Sequence, residues 1–202
     1  MELSHLLAFN AALLVAIASP GPSLLFLLRN TLSGGRRTGL ITACGLGVMA
    51  TLWTVMAVLG LDVVFRLFPW AYLLLKTAGA LYLCYLAFKI WQNARAAVAD
   101  VSAPDTRNAF LAGVLVNLAN PKSVFFSASV LVVIFPATLT FGEKALIVAN
   151  HLAIELTVQP LLALAFSTGI VTRGYLRAKI TLDRTAAAVL GALGIRLLLD
   201  RS

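Results

Sequence analysis

The sequence has little charge: only 12% of its 202 residues are Asp, Glu, Lys or Arg, about half of what a soluble domain carries. Acidic side chains are the scarcest, with 8 Asp and Glu against 16 Lys and Arg. In their place, 60% of the residues are hydrophobic, and they form long uninterrupted runs. Such runs exclude an ordinary soluble fold and predict an all-α integral membrane protein, because helices satisfy their own backbone hydrogen bonds in lipid.

Reactive and metal-binding side chains are also few. The two cysteines, Cys44 and Cys84, both lie in apolar runs, which is typical of small buried residues rather than of a disulfide. With only His5 and His151 as histidines, the chain has no cluster suited to a transition metal, and we expect neither metal nor cofactor. The net charge of +8 does not indicate a nucleic-acid partner, since the basic residues lie in short gaps between apolar runs.

Six apolar runs predict six transmembrane helices in a lipid bilayer. Each of the first five is long enough to cross about 30 Å of hydrocarbon. The sixth is short, so its helix must be extended at one end or have a basic residue near the interface. The runs cover residues 6–28, 38–61, 69–88, 108–142 (with the helix ending near Pro136), 145–172 and 185–199.

The basic residues predict the orientation. Ten of them follow the first, third and fifth runs, and only four lie at the opposite ends. Because cytoplasmic loops are enriched in Lys and Arg, we expect the ten in the cytoplasm and both termini on the periplasmic side. The polar stretch 92–107 is the one real linker of a single domain, 1–202, and it separates two three-helix halves, 1–91 and 108–202.

Each half has a helix-breaking motif inside its first run. Pro20-Gly21-Pro22 interrupts the first run, and Asn120-Pro121-Lys122 interrupts the fourth. A weaker match relates residues 79–83 of the third run to residues 191–195 of the sixth. Because each half has an odd number of helices, the two halves would have opposite topologies. The sequence therefore predicts two inverted three-helix repeats with broken helices 1 and 4, the layout of many secondary transporters.

The two breaks suggest a binding site. A proline in a helix removes one backbone donor and leaves carbonyl groups upstream without partners. Such groups survive in a membrane where protein or a water-filled cavity covers them. A helix N-terminus attracts a carboxylate and free carbonyl groups attract an ammonium group, so two facing breaks suit a zwitterion such as an amino acid. The alternative is a pair of proline kinks that serve packing only.

Three ionisable residues lie well inside apolar runs: Lys76, Lys122 and Glu155. A charge at the centre of a membrane helix costs about 2.5–3.5 kcal/mol, so each should face the interior and find a partner. We hypothesise that Glu155 carries a coupling proton or binds a substrate ammonium group, and that Lys122 binds the carboxylate. The alternatives are a structural ion pair between Glu155 and a lysine, and a Lys76 that extends to the outer interface.

Further polar and small residues join this set. His151 and Gln159 lie four residues to either side of Glu155 and share its helix face. Asn117 and Asn120 lie three residues apart on the fourth run. Gly45 and Gly47 predict close packing of helix 2 against the break in helix 1.

These motifs together resemble the lysine exporter superfamily, and more closely its homoserine and threonine resistance branch. The resemblance rests on Pro20-Gly21-Pro22, the glycines at 34–39, 45 and 47, residues 79–83, and Gly113 followed by Asn117 and Asn120-Pro121-Lys122. It implies a bacterial inner-membrane exporter of amino acids, with proton antiport, and with both broken motifs at the functional core. His151, Glu155 and Gln159 are not part of the family pattern.

Other functions have weaker support in the sequence. Export of another small solute or of a metal ion remains an alternative within the superfamily. An intramembrane enzyme would need a nucleophile and a base, for which Ser123 or Ser127 with His151 is the one available pair; we expect no enzyme. An inert subunit of a larger complex would not need paired breaks. Small residues Ala187 and Gly191 would permit a homodimer contact.

Overall fold

The computed structural model describes residues 1–19, 21–67, 70–95, 108–136 and 138–199. These ranges are almost entirely helical, which confirms the prediction of an all-α chain. Pro20 and most of the linker 92–107 lie outside the described residues, as do the side chains of Lys76 and Pro121. The helices are α1 (Leu3–Ala18), α2 (Pro22–Leu67), α3 (Trp70–Asn93), α4 (Ala109–Leu118), α5 (Pro121–Ile134), α6 (Phe141–Phe166) and α7 (Gly169–Leu199).

The apolar helices are those of a multi-pass membrane protein. Among the described residues, Pro22–Gly60 of α2 and the whole of α6 are long and apolar enough to cross a bilayer. The α4–α5 pair, bent by 61°, provides a third span if it is counted as one helix. The prediction of six spans in two inverted repeats, and of their orientation, stays a prediction.

The last helix is longer than its apolar run. The run 185–199 is short, so an extension at one end was one of the two expected outcomes; α7 begins at Gly169 and has 31 residues, a length of about 46 Å at 1.5 Å per residue. The apolar run stops at the charged residues before 185. The structure accommodates them within the helix, where Lys179 Nζ lies 2.9 Å from Asp183 Oδ2, one helical turn away.

A turn at Gly35 divides α2 into two segments. Gly35 has φ 76° and ψ 179°, a backbone conformation that glycine adopts without the steric cost of a Cβ atom. Across this turn the two segments are bonded to each other, since Asn30 Nδ2 donates to Thr42 Oγ1 at 3.0 Å. Arg36 and Arg37 follow at the exposed turn.

Close packing at Gly45 and Gly47 has different partners from those predicted. The sequence assigned both glycines to the break in helix 1. Instead, a Cβ atom at Gly45 would overlap the carbonyl oxygen of Phe110 on α4, and one at Gly47 would lie 3.1 Å from Glu155 Cβ on α6. The helix α2 as a whole packs most extensively against α4 and α6, and these glycines are two of its contact points with them.

Two apolar clusters hold the helices together. One joins α1 to α5, α6 and α7 and includes Phe9, Leu13, Phe126 and Ile147. The other joins both segments of α2 to the end of α6, through Leu24, Leu27, Leu46, Ala163 and Phe166. Between them lies the polar region that contains both breaks.

The α2–α4 contact provides a test of the packing. We expect Gly45→Ala to lower the stability by about 1–3 kcal/mol, because the added methyl meets backbone that cannot rotate away. Thermal unfolding of the detergent-solubilised protein measures the loss. Gly60→Ala on the same helix is the matched control, since a Cβ atom there has no neighbour within 4 Å. Equal melting temperatures for the two variants would contradict the contact.

Candidate functional site

A cavity of about 60 Å³ lies between the two breaks. Its volume is enough for several water molecules. Its wall combines apolar side chains from both core clusters with residues next to each break, including Gly21 and Asn120, and with the charged residues Lys122 and Glu155. The structure therefore brings residues from both halves of the chain, far apart in sequence, together around one buried polar cavity.

Asn120 fixes the second break. Its side-chain oxygen accepts a hydrogen bond from the backbone N–H of Lys122 at 3.0 Å, which caps the first turn of α5. Its side-chain nitrogen donates to Ser23 Oγ at 2.8 Å, just after the first break. One amide therefore starts α5 and joins it to the beginning of α2. Asparagine suits this position, because it is a strong N-cap that also carries donors.

Lys122 crosses from the second break to the first. Its ammonium group donates to the carbonyl oxygen of Ala16 at 3.0 Å and to that of Ser19 at 3.1 Å. Both carbonyl groups lie at the end of α1. The sequence predicted that carbonyl groups freed at the break would attract an ammonium group, and in the structure that group is the lysine of the other motif.

The polar face of α6 forms the opposite wall. The exposed fractions of His151, Glu155 and Gln159 are 2%, 3% and 5%, so all three are buried. Gln159 Nε2 donates to Glu155 Oε2 at 3.1 Å, and His151 Nε2 lies 3.4 Å from Glu155 Oε1. The ion pair between Glu155 and Lys122 that the sequence allowed is not formed. Glu155 instead contacts its own helix neighbours, because Lys122 is held by the carbonyl groups of α1.

His151 joins Glu155 to α2. Its Nδ1 lies 2.7 Å from Thr54 Oγ1, and Thr54 Oγ1 donates to Ser127 Oγ at 3.4 Å. A carboxylate can only accept, so the contact between His151 Nε2 and Glu155 requires a proton on one of the two side chains. The hydroxyl of Thr54 lies between Ser127 and the imidazole, so the serine–histidine pair of the enzyme alternative is not in direct contact.

Three buried polar atoms of the cavity residues have no hydrogen-bond partner. They are Ser19 Oγ, Asn117 Oδ1 and Gln159 Oε1. Unpaired buried polar groups are rare and costly, about 1–3 kcal/mol each, and they call for an explanation. All three residues line the same cavity. Two of the atoms only accept hydrogen bonds, so with the Glu155 carboxylate they favour a ligand that donates.

Sequence reasoning found most of this site but missed Ser19, Ser23 and Thr54. Ser19 and Ser23 flank the first motif, and their position beside it was the available signal. Nothing in the sequence distinguishes Thr54 from other threonines of α2, such as Thr51, whose hydroxyl bonds the carbonyl group of its own helix as membrane hydroxyls commonly do. In the described part of the chain no three His, Cys, Asp or Glu side chains lie close enough together to hold a metal ion.

Comparison with known proteins gives a family match over most of the chain. The model of the LysE type translocator family matches residues 14–201. The threonine efflux protein of Escherichia coli strain K12 is 31% identical over 199 residues, which cover 93% of this chain and 94% of that protein. The threonine efflux protein of Salmonella typhi is 29% identical over 97% of this chain and 99% of its own length.

A more distant relative has no assigned function. An uncharacterised membrane protein of Pseudomonas aeruginosa is 28% identical, over 88% of this chain and 85% of its own length. No solved structure matches the chain.

The link between the breaks can be measured as a coupling energy. We expect Asn120→Ala to cost about 1–2 kcal/mol through loss of the helix cap alone, and Ser23→Ala to cost less. In the double variant the two losses should not add, with a coupling of about 0.5–3 kcal/mol, because both remove one hydrogen bond. Thermal unfolding of the four proteins closes the cycle. Additive losses would show that the Asn120–Ser23 bond contributes nothing.

Proposed function

Since the chain belongs to the LysE type translocator family, we propose that it exports threonine or a similarly small neutral amino acid across the bacterial inner membrane. Efflux of an amino acid is what the named relatives do, at about 30% identity over nearly their whole length. This agrees with the lysine exporter superfamily and the homoserine and threonine resistance branch indicated by the sequence motifs.

The observation that carries the proposal is the set of unpartnered polar atoms in a cavity with charge of both signs. Glu155 and Lys122 lie in the same cavity wall without pairing with each other. A zwitterion would satisfy both at once. Its ammonium group would donate to Glu155, to Gln159 Oε1 and to Asn117 Oδ1, three acceptors for three N–H groups.

The carboxylate of the substrate would lie at the opposite side, near Lys122. Two of the ammonium protons of Lys122 are used by the carbonyl groups of Ala16 and Ser19, which leaves a third for the substrate. The first turn of α5 adds the positive end of a helix dipole there. A hydroxyl on the substrate could pair with Ser19 Oγ, which both donates and accepts.

Proton coupling follows from competition for Glu155. When Glu155 is ionised it attracts an ammonium group, and when it takes up a proton that attraction is lost. Glu155 would bind the substrate on the cytoplasmic side and release it to the periplasm, where it would take up a proton. The proton would then leave to the cytoplasm, so one substrate is exchanged for one proton. His151 shares the proton with Glu155, and its bond to Thr54 fixes the orientation of the imidazole ring. The coupling would thus be reciprocal, as binding linkage requires.

Alternating access would take place at the paired breaks. The Asn120–Ser23 and Lys122–carbonyl bonds join the two broken helices, so a movement of one is transmitted to the other. In this proposal the two halves of the chain are inverted repeats that rock around the site, with both termini in the periplasm. Ala187 and Gly191, which the sequence offered for a homodimer contact, pack within the chain instead: Ala187 is buried, and a Cβ atom at Gly191 would lie 3.5 Å from Ala87 Cβ on α3.

Efflux from cells tests the function. Cells loaded with a mixed amino-acid pool should release threonine faster when the protein is present, as measured by mass spectrometry of the medium. We expect Glu155→Gln and Lys122→Ala to lower that rate about tenfold or more at equal expression, because each removes a charged partner worth about 1.5–3 kcal/mol. Lys89→Ala and Thr157→Val, both exposed, are the matched controls and should export normally. Release of another solute, and of no amino acid, would favour the alternative substrates.

A second measurement tests the proton coupling separately from export. In vesicles loaded with threonine, an inward proton gradient should accelerate efflux by the native protein. The Glu155→Gln variant should show no acceleration, whereas Thr157→Val should respond as the native protein does. If Glu155→Gln still exports and responds fully to the gradient, the coupling group lies elsewhere.

A further inference from the structure

We propose that Lys122 is a tethered cation, whose ammonium group permanently occupies a carbonyl site at the end of α1 that would otherwise take a free monovalent cation. The proposal deepens the export function proposed above and rests on it in one respect, namely that a built-in cation makes export independent of Na⁺.

The carbonyl site follows from the sequence. In a continuous helix the oxygen of Ala16 would accept from the backbone N–H four residues later. The residue at that position is Pro20, which has no N–H to donate. The oxygen of Ser19 faces the same place, beyond the last turn of α1. These two oxygens are the ones that accept from Lys122 Nζ, at 3.0 and 3.1 Å.

Helix dipoles explain why the cation comes from α5. Lys122 lies in the first turn of α5, where the positive end of the dipole disfavours a cation. Its side chain leaves that end and reaches the last turn of α1, where the dipole is negative and favours one. The charge of Lys122 would thus be unfavourable at the start of its own helix and is favourable at the end of α1, where the ammonium group lies.

Among the described side chains, no carboxylate lies within 4 Å of Lys122 Nζ. Glu155 is bonded to His151 and Gln159, and Asp183, which pairs with Lys179 at 2.9 Å, acts on the Lys122 charge only at longer range. The direct partners of the ammonium group are therefore the backbone oxygens of α1. In transporters with broken helices, carbonyl groups of unwound segments and helix C-terminal ends are the groups that coordinate Na⁺.

Removing the side chain should therefore create a cation site. In the Lys122→Ala variant the two oxygens lose their donor, and a small alkylammonium ion could replace it. The space beside the first break permits this, since even a Cβ atom added at Gly21 would keep 3.6 Å from Nζ. The native protein, which already has its cation there, should bind ethylammonium only through the acceptors proposed for the substrate ammonium group.

The test is thermal unfolding of the purified full chain in detergent, without substrate. We expect Lys122→Ala to melt below the native protein and to regain roughly 3–6 °C in ethylammonium about tenfold above its dissociation constant. Tetraethylammonium at the same ionic strength, which has no N–H group, should give no such gain. The native protein and a Lys89→Ala control, which both keep Lys122, should gain less from ethylammonium than Lys122→Ala does, through the acceptors around Glu155 alone. If ethylammonium stabilises Lys122→Ala no more than it stabilises the native protein, the proposal is wrong.

A second measurement covers the case in which Lys122→Ala does not fold. Threonine efflux by the native protein in vesicles should be unchanged when Na⁺ is replaced by choline on both sides, and an Na⁺ requirement would overturn the tethered cation. The two failures are distinguishable. The unfolding experiment contains no amino acid, so its outcome does not depend on export, whereas a native protein that exports no amino acid refutes the proposed function only.

Discussion

The structure depends on one constraint: backbone groups freed inside a membrane must find partners within the protein. Two helices give up their regular hydrogen bonds, at the end of α1 and between α4 and α5. The short segment Asn120–Lys122 provides hydrogen-bond partners at both positions. Asn120 caps its own helix and bonds Ser23, and the Lys122 ammonium group bonds the open end of α1. Each break is stabilised by hydrogen bonds from the other, because α5 provides donors and α1 and Ser23 provide acceptors. The remaining polar atoms of these segments face the cavity.

The all-helical fold and the interruption of helices at both motifs could be predicted from the sequence, because apolar runs and prolines act locally. The spacing of four residues placed His151, Glu155 and Gln159 on one face for the same reason. The partners could not be predicted. On charge alone Glu155 could pair with Lys122, but Lys122 is held by the carbonyl end of α1, a backbone feature that no side-chain pattern shows. Gly45 and Gly47 were recognised as contact points but assigned to the wrong helix, since a small residue permits an approach without specifying what approaches.

Glu155 is positioned by two helices, α6 and α2, rather than by α6 alone. Gly47 on α2 packs against its stem, and Thr54, two helical turns further along α2, holds the imidazole that contacts its carboxylate. Both contacts come from the segment that Gly35 turns back along the first part of α2. The beginning of α7 lies well before its apolar run for a related reason. Individual charged residues interrupt an apolar run and indicate a loop. Lys179 and Asp183, however, neutralise each other within one turn of helix.

The long separation between Lys122 and its acceptors has a consequence for biosynthesis. Lys122 follows Ala16 by 106 residues and Ser19 by 103. At translation rates of about 5–20 residues per second, the open end of α1 has to wait roughly 5–20 s before its donor leaves the ribosome. Until then water or the insertion machinery must solvate those oxygens, so the N-terminal half alone is an unfinished nascent intermediate. Assembly of the bundle is therefore tied to the arrival of the fourth apolar run, and a chain truncated before residue 122 would present a polar defect to lipid.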